Sequence, residues 1–165
     1  LLNTEPHADS AHGAEGVATS DMVVTLSPFK TNLDISDVLL PISPFTETAG
    51  TFVNTEGRAQ SFHGVVRPLG ETRPGWKVLR VLGTMLGLPG FAYETIEEVR
   101  AAALPTDIAS RLSNASTAYV EVAPAAAPVT ASIYQLDSLV RRATSLQLTA
   151  DARQGAASQE QEVSA

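Results

Sequence analysis

Glu47, Asn54, Glu56, Arg58 and Gln60 crowd polar side chains into the stretch from Thr46 to Gln60, between apolar runs on either side. Two carboxylates and a guanidinium are the groups from which an acid, a base and an anion clamp are built, so Glu47, Glu56 and Arg58 are the first candidates for chemistry. His63 follows closely as a candidate base. Thr51, Asn54, Glu56 and Arg58 are the residues on which a cofactor contact would fall if this stretch faced a ligand. The competing reading is an ion pair plus hydrogen bonds that hold a hairpin, with Asn54 and Thr51 bonding its turn. The sequence favours that reading, because it supplies no nucleophile and no base oriented by a third group. No catalytic residue is assigned. Polar groups buried at such density must bond one another or a ligand, and those two explanations stay open.

His7 and His12 stand near Glu5, Asp9 and Glu15, which raises a metal site. A spacing of five sets the two histidines on different faces of a helix and no third ligand follows from the pattern, so solvated loop histidines are the better reading and no metal is assigned. With no cysteine, the chain carries no disulfide, thiol nucleophile, thiolate metal site or cysteine-ligated iron–sulfur cluster. There is no G-x-S-x-G elbow and no phosphate loop with its lysine. Asn114-Ala115-Ser116 satisfies the glycosylation pattern by chance.

The elements that must position these groups can be read from patterning. Asn54 and Gly57 fit a type I turn with a following bulge, so Thr51-Phe52-Val53 and Arg58 to Phe62 pair as a hairpin. Met22 to Leu26 and Val38 to Leu40 read as buried strands, with a helical turn capped by Thr31 or Asn32 between them. Two apolar strands without alternation fit a parallel sheet covered on both faces, and the hairpin lies just past the carboxyl end of the second. A helix starts at Pro74, carries the stripe Val78, Leu79, Leu82, Met85 and Leu86 toward the core, and closes at Gly87. Glu94 to Ala103 forms another helix, and Asp107 to Leu112 a further turn. Asp9 to Ala18 is a polar helix or loop, Tyr119 to Val122 is strand-like, Ser138 to Ala143 helical, and Leu146-Gln147-Leu148 alternates like a strand. The predicted division is an α/β region over 1–122, an Ala/Pro-rich linker over 123–132, a partial segment over 133–150 and a disordered tail over 151–165.

At 165 residues and 44% hydrophobic content the chain suits one ordinary core. A net charge of -7 argues against nucleic acid as a partner, and the pair Arg141-Arg142 is too small a basic patch to reverse this. No apolar run reaches the roughly 20 residues of a spanning helix, so direct membrane insertion is not expected. The chain begins on two leucines without a methionine and reads as part of something longer.

From Ser36 to Phe91 the sequence resembles the molybdopterin oxidoreductase superfamily, through Asp37-Val38-Leu39-Leu40-Pro41, Glu47, Gly50-Thr51, Asn54, Glu56-Gly57-Arg58, Gln60 and Trp76 at the start of a helix ending at Gly87. Within it, Thr46 to Phe91 and VRRATSLQLTADAR, in the segment Ser138 to Arg153, are similar to the carboxyl-terminal region of the large iron–sulfur subunits of bacterial NADH:quinone oxidoreductase, respiratory complex I; Leu1 to Asn32 is less distinct. The resemblance implies an α/β fold, a mostly parallel sheet flanked by helices, in a portion that generally holds no molybdenum cofactor. It implies iron–sulfur clusters in an amino-terminal portion outside this segment. It further implies partners in the rest of the same subunit and in the other peripheral-arm subunits, on the cytoplasmic side of the bacterial inner membrane. A non-catalytic structural role follows from it; the alternative is a fragment of an active, formate-dehydrogenase-like molybdopterin enzyme.

Overall fold

A computed structural model of the chain describes residues 1–10, 13–113, 115 and 132–154. The chain divides into two units that alternate along the sequence, one formed by 1–25, 31–38 and 120–165, the other by 26–30 and 39–119. Residues 133–154 therefore share a unit with the chain's beginning. The expected strand at Tyr119 to Val122, nearly all of the 123–132 linker, His12, Asn114 and 155–165 lie outside the described residues.

Four strands are present among the described residues: β1 (Val24–Ser27), β2 (Val38–Pro41), β3 (Gly50–Val53) and β4 (Ala59–Phe62). β1 and β2 make one two-stranded sheet, β3 and β4 another. Around the first sheet, Asp37 N and Val38 N donate to Val23 O at 2.9 and 3.3 Å, and Ile42 N donates to Ser27 O at 3.2 Å. The pairing advances in the same direction on both strands, which is the parallel arrangement. Ile42 bridges Arg73 in parallel as well, with Ser43 N donating to Arg73 O at 2.9 Å. β1, β2 and this bridge are thus parallel, and the hairpin is antiparallel. Thr25, Leu26 and Ser27 are all buried, as expected for a strand covered on both faces. Met22, expected in β1, lies outside it and is exposed.

The turn between β1 and β2 forms without the predicted side-chain cap. Ser36 N donates to Asn32 O at 3.0 Å, while Asn32 takes φ 54 and turns its amide inward, donating to Thr4 O at 2.8 Å. Asparagine tolerates this left-handed backbone better than most residues, and here the buried amide is satisfied as well.

Two longer helices end as their sequences direct. In α2 (Gly75–Met85), Leu88 N donates to Gly83 O at 2.9 Å and Gly87 N to Thr84 O at 3.1 Å, with Gly87 at φ 67, a Schellman closure. The expected apolar stripe is only partly covered: Val78 and Leu79 are partly buried, whereas Leu82, Met85 and Leu86 are exposed. Gly83 is the one buried residue of α2, and a Cβ there would run into the Phe91 ring. α3 (Ile96–Ala103) starts two residues later than predicted, because Thr95 and Glu98 form a reciprocal capping box that leaves Glu94 outside. A 3₁₀ turn, Ile108–Arg111, follows.

The first unit also holds the short helices α1 (Pro6–Asp9), α4 (Ser138–Arg142) and α5 (Thr144–Gln147). The strand expected at Leu146 to Leu148 is not formed; Leu146 and Gln147 belong to α5. Gln147 accounts for this, since its amide donates to Val140 O at 2.7 Å and to Tyr134 O at 3.0 Å. Residues 150–154 are helical too, and Ala152 is buried, so order extends past the expected start of the tail at 151. Asp137 caps α4 through Leu139 N and Val140 N. Arg141, only 9% exposed, then reaches α1: its Nη1 and Nη2 both lie 2.9 Å from Asp9 Oδ1, and Arg142 Nη1 lies 2.7 Å from Glu5 Oε1. Arg141→Ala leaves Asp9 without its cation and Glu5 with Arg142 alone, and a loss of about 3 kcal/mol is expected for breaking a largely buried pair. Urea denaturation checks this against Arg142→Ala, which removes the more exposed guanidinium and costs less.

Candidate functional site

The polar stretch forms the predicted hairpin. Phe52 pairs with Gln60 and Thr51 with Ser61, placing alternate residues on opposite faces. At the tip, Gly57 N donates to Asn54 O at 2.9 Å and Gly57 takes φ 88, the geometry of a type I turn followed by a bulge. Asn54 Oδ1 accepts from Glu56 N at 3.0 Å and Arg58 N at 2.9 Å, so one side chain satisfies two turn amides. Glu56 and Arg58 are about half exposed and paired at 3.4 Å. Glu56 O also accepts from Ser113 N at 2.8 Å.

Glu47 is separated from this pair. Its carboxylate accepts from Leu69 N at 2.9 Å and fixes the loop after the hairpin. Val65 N and Val66 N donate to Thr46 O nearby, and Gly64 packs so closely that a Cβ would lie 2.9 Å from Thr48 N. Gly50 is similarly constrained, since a Cβ there would meet the Phe62 ring at 2.7 Å. Phe62 stacks on Phe52 at 4.7 Å, and Phe52 contacts Phe45 edge-on at 6.2 Å. The groups considered as acid, base and anion clamp therefore do not converge: Glu47 serves a loop amide, while Glu56 and Arg58 serve the turn.

Thr51 joins a different group. Its hydroxyl lies 3.0 Å from Ser61 Oγ, and Arg100 Nη1 of α3 donates to that same Ser61 Oγ at 2.7 Å. His63, Ile96 and Glu97 line a small cavity of about 50 Å³ beside them. Sequence reasoning missed Ser61 and Arg100 as a pair. The strand alternation that sets Thr51 opposite Ser61 is readable from the sequence, but the 39-residue separation to Arg100 is not.

In the first unit, His7 pairs with Asp34 at 3.0 Å and lines an open hollow of about 620 Å³ together with Glu15, Asp21 and Asp37. Glu5 and Asp9 are engaged by the arginines of α4 instead. Among the described residues no three His, Asp or Glu side chains come together as a metal would require.

A family model for molybdopterin oxidoreductases matches residues 1–85, just over half of the chain. The chain belongs to the molybdopterin oxidoreductase family. The match takes in β1, β2, the hairpin and α2, and includes the first 32 residues, where the resemblance is less distinct. Among relatives, a putative formate dehydrogenase of Staphylococcus aureus is 41% identical over 68 residues, 41% of this chain and 7% of that protein. The probable oxidoreductase YjgC of Bacillus subtilis is 37% identical over 89 residues, 54% of this chain and 8% of that protein. The mitochondrial NADH-ubiquinone oxidoreductase 78 kDa subunit of Candida albicans is 43% identical over 65 residues, 39% of this chain and 9% of that protein. The matched stretch thus spans less than a tenth of the length of each.

For the molybdopterin group that the family name implies, Thr51, Asn54, Glu56 and Arg58 form no common cradle. Thr51 bonds Ser61 on one strand face, Asn54 caps the turn, and Glu56 and Arg58 bond each other. These four side chains do not fit as a cofactor site, and no chemical step is derived through them. Asn54→Ala removes the acceptor of two turn amides, and a loss of about 1–2 kcal/mol is expected. Arg58→Ala breaks a half-exposed pair and costs well under about 1 kcal/mol. Denaturant midpoints for the two variants check the order, which reverses if Arg58 holds the hairpin.

Proposed function

We propose that this chain is a non-catalytic structural segment of the large iron–sulfur subunit of a bacterial NADH:quinone oxidoreductase, respiratory complex I. The observation that carries the reading is that Glu47, Asn54, Glu56 and Arg58 are bonded separately, to backbone amides or to one another. Asn54, Glu47 and the Glu56–Arg58 pair each satisfy a local group rather than converging on an open site. The similarity to the Candida albicans complex I subunit supports the assignment of the parent. In this reading the segment sits in the peripheral arm on the cytoplasmic side of the membrane, and iron–sulfur clusters are carried by other parts of the subunit. Its exposed apolar side chains, among them Phe52, Val65 and Leu69, pack against the rest of that subunit and its neighbours in the arm. Among the described residues no helix is long and apolar enough to cross a membrane, which agrees with a peripheral position.

A second reading rests on the relatives in Staphylococcus aureus and Bacillus subtilis, whose identities are comparable. In it the segment belongs to an active, formate-dehydrogenase-like molybdopterin enzyme. Joint elemental analysis for molybdenum and iron on the natively purified parent protein, with a search for released pterin after denaturation, separates the two. Iron without molybdenum or pterin is expected; near-stoichiometric molybdenum with pterin overturns the structural reading in favour of the second. A complementary test follows from the hairpin. Any effect of Arg58→Ala is expected to fall on the amount of assembled complex, with turnover per assembled complex unchanged. Normal assembly with lost turnover would sink the structural role.

A further inference from the structure

We propose that Arg100, Ser61 and Thr51 form a binding site for a tetrahedral oxyanion, a phosphate or sulfate group. The inference stands apart from the structural role proposed above and rests on the hydrogen-bond directions in the cluster. Arg100 Nη1 donates to Ser61 Oγ at 2.7 Å, and Ser61 Oγ lies 3.0 Å from Thr51 Oγ1. If Ser61 donates to Thr51, the Thr51 proton is left over; if Thr51 donates to Ser61, the Ser61 proton is left over. Either way one hydroxyl donor remains beside a guanidinium with further N–H groups to offer, since an arginine carries five and accepts nothing. Among the described residues no carboxylate lies within ion-pair distance of Arg100, so its charge is not already neutralised. Glu97, which also lines the cavity, is the opposing charge. It precedes Arg100 by three positions on α3, is exposed and forms no ion pair with it.

The neighbouring elements hold the donors in place. Thr51 and Ser61 are fixed opposite each other by the register of β3 and β4, and Ile96, one helical turn before Arg100, supplies an apolar wall. The cavity of about 50 Å³ takes a single oxyanion and little more, so the remainder of any larger ligand must lie outside it. Charge-assisted donors of this kind, with a planar fork, are those suited to phosphate and sulfate.

Titration of the natively purified protein with inorganic phosphate, followed by ³¹P linewidth, tests the site. Saturable binding is expected, weakened about tenfold or more in Arg100→Gln through loss of the charge-assisted contacts. Thr51→Val, which removes one hydroxyl and nothing else polar, provides the second variant should Arg100→Gln disturb the fold, and a weakening of a few fold is expected there. Competition identifies the source of the anion: displacement by AMP at lower concentration than by sulfate supports a phosphomonoester ligand, and equal displacement supports a free oxyanion. Non-saturable broadening, or binding unchanged in both variants, overturns the proposal.

Discussion

The guanidinium of Arg141 sets the terms for the first unit. It lies nearly buried, with Glu5 also only 14% exposed, and a charge so placed must be answered by opposite charge and hydrogen bonds. The unit is arranged to give that answer. Asp9 takes two of its nitrogens, Gln135 O accepts from Nη1 at 2.6 Å, and Arg142 holds Glu5 from the other side. Its Nε is left with no partner among the described residues, so the cluster is close to satisfied but not fully so. α1 and α4 are far too short to persist as isolated helices. Their order is a consequence of the contacts between them and of the Asp137 cap.

Polar bonding carries so much because apolar burial is thin. Among the described residues only Leu26, Ile42 and Ala152 are buried hydrophobic side chains, while Thr25, Ser27, Asn32 and Ser43 are buried polar ones. Thr25 is held by Ser36 at 2.6 Å, Asn32 by Thr4 O, Ser27 by the amide of Phe29 at 3.1 Å, and Ser43 by Thr72 at 3.2 Å and by the Arg73 carbonyl. Phe52, Val65, Leu69 and Met85 meanwhile remain largely exposed. Exposed apolar surface of this extent marks surfaces made to be covered, and a segment built this way gains its stability from neighbours as much as from itself.

How much of this is legible in the sequence depends on the range of the interaction. The type I turn, the closure of α2 at Gly87, the helix expected over Glu94 to Ala103 and the strand expected over Val38 to Leu40 follow from signals within a few residues, and the structure has each of them with bounds shifted by at most two residues. Burial does not follow so easily. A stripe at helical spacing says which side of α2 is apolar, but not whether anything covers Met85 and Leu86. The alternation Leu146-Gln147-Leu148 suggests a strand because the pattern cannot show that Gln147 bonds Tyr134 O and Val140 O in a helix. Arg141 with Asp9, and Arg100 with Ser61, join positions far apart in sequence, and no local spacing predicts either. The candidate site is legible as a hairpin and illegible as chemistry, since the same residue types serve a turn or a ligand.

That ambiguity is plain in the roles the hairpin residues take. In the hairpin, Asn54 caps two amides, Gly57 supplies a left-handed backbone, Gly50 and Gly64 make room for a ring and for a neighbouring chain segment, and Glu47 ties a loop amide. Every one of these roles is a requirement of backbone geometry. A motif of that kind specifies a shape and places no demand on the reaction carried out elsewhere in the protein. The family model identifies the family, and the decision between an enzyme and a structural descendant lies with groups other than Asn54, Glu56 and Arg58, which serve the turn and each other.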